Sequence, residues 1–403
     1  MSTSAELELM KLGRYHMEDG LKAMAAALCE YVPRYEAVAF ACSGGKDSSA
    51  LVSAAEHLFA TGKVPRPPKC YLVRVNTTVE LPPIEASARQ MERQLRERQW
   101  ECIVIKPKPR ERLWVKKLGY GYAPANRQFW WCTRSTKKKP QDRMYAKLQA
   151  RHKSLLVVYG SRVDESDARA ARIASSCTAQ GTECGLGLFK EFDNSLAPMV
   201  GWRNCAVWDW LKVCKQRTGI DVSAVWEAYA ADDAEQIQIN WNDDYDGNAM
   251  KIGRWEAEIE ASSRTGCVGC DLVREDRALL RLSRTKSWGH IKPYLRIPEI
   301  NEALRAHANR VIRPSTGGAG AIRLDARKWA LGELLTIQTD VRRGAKQAGK
   351  PHFDLISRSD VKLIRRLIAE KTFPNGYDDD PQPMPVVIEN MIKPHPGQMS
   401  LLT

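Results

Sequence analysis

The sequence predicts an α/β fold, a parallel sheet with helices on both faces, followed by a helical cysteine-containing region and a basic C-terminal region. Three observations predict it. Short apolar runs alternate with helix-length amphipathic segments through the N-terminal half of the chain. A Gly-rich turn, Ser43-Gly44-Gly45-Lys46-Asp47-Ser48, joins the first strand pattern to the helix pattern after it. The chain has 403 residues, 43% of them hydrophobic and 27% charged, enough for two or three domains with a proper core.

Residues 5–32 read as a partly amphipathic helix that caps the N-terminus. Residues 35–42 form an apolar strand pattern, and 47–60 a helix with Leu51, Val52, Ala55, Leu58 and Phe59 on its apolar face. Strand, helix and strand patterns follow at 69–75, 84–99 and 101–106. The segment 107–140 is too long for a plain crossover and reads as a functional loop, with a helix over 140–152 behind it. A strand pattern at 155–160 leads to a last strand and Trp-rich helix within 196–214. An acidic stretch, 227–246, precedes a Cys-x-x-Cys pair; from about 275 the pattern is helical and basic, then Pro-rich from 374. No internal repeat is present. These shifts divide the chain into an N-terminal cap (1–33), a nucleotide-binding domain (34–215), a helical region with the CxxC (216–300) and a basic helical region with a flexible tail (301–403).

Charge is unevenly spread. Between Lys106 and Lys153 there are 15 Lys/Arg against two acids, Glu111 and Asp142, in a chain whose total is +14. Such density suits a polyanion, because each neutralised phosphate releases counterions. No apolar run is long enough to span a bilayer, and residues 1–30 carry charges throughout, so the expected location is the cytoplasm, with no membrane partner. In that reducing compartment 11 cysteines point to metal or sulfur chemistry and to core residues rather than to disulfides.

The turn Ser43–Ser48 has the makings of an anion cradle. Its glycines let backbone N–H groups face a phosphate, the following helix contributes its N-terminal dipole, and Lys46 adds a point charge. Its spacing differs from the GxxxxGK of P-loop NTPases. It resembles the PP-loop of ATP pyrophosphatases, which implies a Rossmann-like (adenine nucleotide alpha hydrolase-like) sheet binding ATP and Mg²⁺. Residues 75–82 (VNTTVELP) resemble the second loop of the PAPS-reductase-like branch, and 160–172 (GSRVDESDARAAR) its third signature. That resemblance places Thr78, Glu80, Arg162, Glu165 and Ser166 at the nucleotide with Ser43, Gly44, Gly45, Lys46, Asp47 and Ser48, and Arg169 or Arg172 beside an anion pocket. Lys46, Asp47, Arg134 and Arg162 become the candidate catalytic residues.

Trp131-Cys132-Thr133-Arg134 with Lys137 to Pro140, and Arg264-Thr265-Gly266-Cys267-Val268-Gly269-Cys270, resemble two elements of the DndC-type DNA phosphorothioation sulfurtransferases. In that family such cysteines hold a 4Fe-4S cluster, which implies Cys132, Cys267 and Cys270 as ligands; thiolates of this pattern suit iron–sulfur clusters and zinc alike. Those proteins usually carry a further Cys shortly before the second element, where this chain has Ile259–Ser263. Cys205 is the first candidate for a fourth ligand, Cys177 and Cys184 weaker ones, and a three-cysteine cluster with an open iron stands beside them. Cys42 reads as a small buried residue, and Cys29, Cys70, Cys102 and Cys214 as core. Trp202, Trp208 and Trp210 read as core too, whereas Trp130 and Trp131 are candidates for stacking on bases.

The resemblance implies a sulfurtransferase that adenylates a DNA backbone phosphate with ATP and replaces a non-bridging oxygen with sulfur. A cysteine desulfurase would be the donor and other phosphorothioation proteins the partners. The alternatives are reduction of APS or PAPS, whose redox ECGL-type segment occurs here only at Glu183–Leu186, upstream of the CxxC, and thiolation of tRNA. The tail Gln398-Met399-Ser400-Leu401-Leu402 resembles the short peptide that docks into bacterial sliding clamps.

Overall fold

The computed structural model describes residues 4–126, 128–163, 194–229, 267–378 and 380–385, with the side chains of the first helix from Met17 onward. Its centre is a five-stranded sheet, all parallel. The strands are β1 (Ala37–Ala41), β2 (Lys69–Val75), β3 (Glu101–Ile105), β4 (Leu155–Val158) and β5 (Ser195–Leu196), in the order β3-β2-β1-β4-β5. Strand order therefore reverses at β1, and the crevice beyond its carboxyl end is where ligands sit in open sheets of this kind. β1 and β4 are near-continuous apolar runs because both faces are covered, while the edge strand β3 alternates between exposed and half-buried positions.

One face of the sheet is covered by α1 (Ser4–Tyr31), α2 (Lys46–Ala60) and α3 (Pro82–Arg96) together with α5 (Asn204–Thr218), which packs on both α1 and α2. α4 (Lys139–Arg151) lies on the other face, where Met144, Tyr145 and Leu148 meet Ala37, Ala39, Tyr71, Val73, Leu155 and Val157. α5 stops at Gly219, whose φ of 70° provides the left-handed turn that ends a helix. α6 (Ser223–Ala228) then packs on α3.

Beyond the sheet come α7 (Arg277–Leu282), α8 (Ile297–Arg305), an antiparallel hairpin of β6 (Arg310–Ile312) and β7 (Ala319–Ile322), α9 (Leu324–Gln347) and α10 (Arg358–Ala369). The hairpin departs from the purely helical expectation for this region; Pro314-Ser315-Thr316-Gly317-Gly318 forms its turn, with Gly317 at φ 68°. The divisions expected at 215 and 300 fall inside α5 and α8. One continuous apolar cluster runs from Leu21 and Met24 of α1 through the sheet to Ile337 of α9 and Ile364 of α10.

Polar links fasten the C-terminal helices to the segment after β3. Arg112 grips Asp360 with both oxygens at 2.8 and 2.9 Å, and Asp360 also closes the capping box of α10 with Ser357. Arg327, fully buried, donates to the carbonyls of Gly119, Ile322 and Thr372 and stacks on Phe373. Within that segment two turns are wound as π-helix, Val115–Gly119 and Arg134–Lys138, a rare geometry that concentrates at functional sites. No helix among the described residues is long and apolar enough to cross a membrane.

Candidate active site

The loop after β1 is built around Gly44, whose φ of 84° is the left-handed region. A Cβ there would stand 2.5 Å from the Ile84 carbonyl oxygen and 2.8 Å from the Ala88 Cβ, so α3 leaves no room for a side chain. The Gly44 carbonyl accepts from the Ser87 hydroxyl at 2.8 Å, fixing the loop to α3. Ser48 folds back into the turn: its hydroxyl donates to the Gly45 carbonyl at 3.0 Å and accepts from the Ser43 N–H at 3.1 Å. Cys42 is buried behind it, as expected of a small strand-end residue, and burial pushes its thiol up.

Lys46 opens α2 and is 5% exposed. Its ammonium lies 3.3 Å from Asp47, and the fully buried Arg162 donates to the same carboxylate from Nε at 2.7 Å. Asp47 is thereby held between two cations at the mouth of the loop. Arg162 also donates to the Trp202 carbonyl at 3.2 Å, tying the loop after β4 to the one after β5. Gly160 lets the loop after β4 come close, since a Cβ there would stand 3.1 Å from the Asp47 carbonyl oxygen.

The loop after β2 is braced from below by a buried network. Arg74 donates to Glu85 at 2.6 Å and Glu92 at 2.5 Å, and Glu85 accepts from Asn76 and Arg89. Thr77 donates from its hydroxyl to Glu80 at 2.8 Å, while Thr78 takes φ 71°, costly for a β-branched residue, and gives its N–H to Asn76. Thr78 and Glu80 thus lie in the second loop, with Glu80 turned back on Thr77.

On this loop sits the CxxC. The Val268 N–H donates to the Val79 carbonyl at 2.7 Å, and Gly269, at φ 84°, is pressed so close to Trp114 that a Cβ would meet the indole at 2.5 Å. Burial pushes the Cys267 thiol up to about 12; Glu80 and Cys270 add to the rise, while Lys137 and a hydrogen bond with Thr77 oppose it. Burial also raises Cys132, helped by Asp271 and Cys270. Cys132, Cys267 and Cys270, 138 positions apart at the extremes, therefore share one neighbourhood.

Their strap is anchored by a buried pair that the sequence did not disclose. Lys117 donates to Asp271 at 2.5 Å and Asn301 at 3.0 Å, the other Asp271 oxygen accepts from the Ala125 N–H at 2.9 Å, and Asn301 donates to the Gly269 carbonyl at 3.2 Å. Lys117 and the Asp271 side chain are 0% and 1% exposed. Arg305 donates to the Asp271 carbonyl. Cys205 is the second residue of α5, the helix that packs on α1 and α2. Among the described residues no group of three His, Cys, Asp or Glu closes to the spacing of a single metal ion. Cys205 lies on a separate element, α5, from Cys132, Cys267 and Cys270.

Arg134 is exposed in the basic π turn. Trp131, a stacking candidate by sequence, is instead buried, donating from its indole to the Ala123 carbonyl at 2.9 Å. Trp202, Trp208 and Trp210 are core, as are Cys70 and Cys214, whereas Cys29 is exposed and Cys102 half-buried at the sheet edge. Glu165, Ser166, Arg169, Arg172, Cys177, Cys184, the Glu183–Leu186 segment and the tail peptide Gln398–Leu402 lie outside the described residues. Tyr229 is an addition the sequence gave no signal for: its hydroxyl accepts the Lys46 N–H at 3.1 Å and would stand 3.1 Å from a Cβ on Gly45.

Residues 37–223 match the model of the phosphoadenosine phosphosulfate reductase domain. Among solved structures the chain is similar to a phosphoadenylyl-sulfate (PAPS) reductase from Candida auris in complex with phosphate, at 14% identity and a TM-score of 0.31, over 51% of this chain and 87% of that one. No curated protein matches. The glycine-bound loop after β1, the second loop after β2 and Arg162 all fall within this range, so it is over residues 37–223 that the chain is similar to phosphoadenosine phosphosulfate reductase domains.

Proposed function

We propose that this protein is an ATP-dependent sulfurtransferase of the DndC type, which adenylates a DNA backbone phosphate and then installs sulfur in place of a non-bridging oxygen. The observation that carries the reading is the docking of the Cys267–Cys270 strap, through Val268 and Val79, onto the loop beside the nucleotide cradle, with Cys132 and the basic turn adjoining.

In this reading the N–H groups at the start of α2 and the Lys46 ammonium hold the β,γ-phosphates of ATP. Asp47, poised between Lys46 and Arg162, is the carboxylate placed to meet Mg²⁺. A non-bridging oxygen of the DNA phosphate attacks the α-phosphorus, the bond to the bridging oxygen breaks and pyrophosphate leaves. A sulfur nucleophile then attacks the DNA phosphorus and expels AMP, a leaving group far better than a bare oxide. Most of the work is positioning and charge neutralisation, and Arg134, Lys137 and Arg162 supply cations for it.

Cys132, Cys267 and Cys270 suit a 4Fe-4S cluster held by three protein ligands, which would supply an open iron able to carry sulfide. A cysteine desulfurase is the proposed donor, with a dithiol reducing its persulfide by two electrons to release the sulfide, and other phosphorothioation proteins are the proposed partners. The test is anaerobic co-expression with a desulfurase and such partners, followed by mass spectrometry of digested DNA and tRNA. Phosphorothioate dinucleotides are expected with the wild-type chain and absent with Lys46→Ala or Cys267→Ser. Thionucleosides in tRNA with unmodified DNA would overturn the reading in favour of tRNA thiolation.

The domain match supports a second reading, reduction of APS or PAPS. Sulfite released from either nucleotide by the purified protein with a dithiol reductant would establish it.

A further inference from the structure

Directly before the thiol site the chain turns two aromatic side chains out to solvent. Phe129 is 51% and Trp130 54% exposed, the two most exposed large apolar residues among those described. They are consecutive, and the turn that presents them is fixed. The Asn126 side chain accepts from the N–H groups of Gln128 and Phe129 at 2.9 and 2.8 Å, and the Asn126 and Phe129 backbones bond to each other in both directions. From behind, the buried Trp131 anchors the turn, with Tyr122 packed 5.2 Å from its ring and Lys116 over both rings. About half of each side chain stays in water, so neither is a core residue.

Beside them lies a run of cations with no ion pair among the described residues. Much of the basic segment is consumed internally: Lys117 by Asp271, Arg112 by Asp360, Arg143 by Glu111. Arg134, Lys137, Lys138 and Lys139 are exposed on the turn after Cys132 and form no ion pair among the described residues. Two outward aromatic faces next to four such cations complement a strand of unpaired bases and phosphates, since bases stack on aromatic rings and phosphates follow the cations.

We infer that Phe129 and Trp130 are a stacking platform for unpaired bases of DNA, whose backbone runs over Arg134 and Lys137–Lys139 toward the thiol site. The choice of DNA rests on the proposed function. The platform requires that the strand be locally opened: inside a duplex the base faces are covered by their neighbours, and two adjacent rings gain access only where stacking is interrupted.

The test is fluorescence anisotropy with the full chain and a labelled single-stranded DNA, the same sequence as a duplex, and a version with abasic sites, at two salt concentrations and without ATP or sulfur donor. The single strand is expected to bind more tightly than both others. Phe129→Ala with Trp130→Ala should weaken it roughly tenfold or more with an unchanged salt slope. Lys137→Ala, Lys138→Ala and Lys139→Ala together should weaken all three DNAs and flatten the slope. Trp130→Phe should keep most of the affinity, because a phenyl ring still stacks. Equal binding of duplex or abasic DNA, or full affinity in the double aromatic variant, would overturn the platform. Because binding is read without chemistry, the platform stands if no phosphorothioate is ever formed, and falls if sulfur transfer proceeds while the aromatic variant binds unchanged.

Discussion

Gly44 and Tyr229 show how single positions shape the loop after β1, the proposed nucleotide cradle. Gly44→Ala combines a positive φ with a Cβ 2.5 Å from a carbonyl oxygen, so it should abolish ATP binding in calorimetry and lower stability by about 1–3 kcal/mol in a thermal melt. Tyr229 takes the Lys46 N–H that a phosphate oxygen would otherwise accept. Tyr229→Phe frees that donor, and pyrophosphate is expected to bind about 2- to 10-fold more tightly, the equivalent of one ordinary hydrogen bond. Weaker binding would show instead that the hydroxyl reaches the ligand. The turn after β1 was legible because a Gly-rich stretch between a strand pattern and a helix pattern has few structural alternatives. Tyr229 was not, because it reaches Lys46 across 183 positions, with nothing in its own surroundings to mark it.

At the scale of elements, the strands and long helices follow the periodicity of the sequence within a few residues, down to Lys69–Val75 as a strand. What periodicity misses is held by long-range contacts. The β6–β7 hairpin is only three and four residues per strand, too short for alternation to register, and the π turns at Val115–Gly119 and Arg134–Lys138 have no distinct pattern. The cysteine strap belongs here too, since it depends on the Lys117–Asp271 pair. Removing one partner leaves a buried charge, so Lys117→Met should cost about 3–5 kcal/mol in urea denaturation. Lys117→Met with Asp271→Asn should cost clearly less than the two single changes added together, because the pair acts as a unit.

For the molecule as a whole, a single apolar cluster joins the sheet to the C-terminal helices, with Arg112–Asp360 and Arg327 as polar ties. Composition had suggested separate regions, but compositional shifts track charge, and the burial that joins α9 and α10 to the rest is invisible to it. Removing the whole region from residue 301 onward should leave the sheet helices with uncovered apolar surface. Such a truncated chain is expected to bind a hydrophobic dye and lose its cooperative melt, whereas Arg112→Ala in the full chain should keep one transition at a lower temperature.

The strap between Val79 and Asn301 also sets a timetable. Its hydrogen bonds join residue 79 to 268, 117 to 271 and 301, and 269 to 301, so none can close until the ribosome has released the chain past residue 268, and the set is complete only past α8. The phosphate cradle depends on nearer neighbours, Gly44 on Ser87 and Ile84, and can form far earlier in synthesis. Newly made protein should therefore pass through a stage in which the nucleotide loop is shaped while the three thiols are still apart. Whatever occupies those thiols is delivered to a nearly finished molecule.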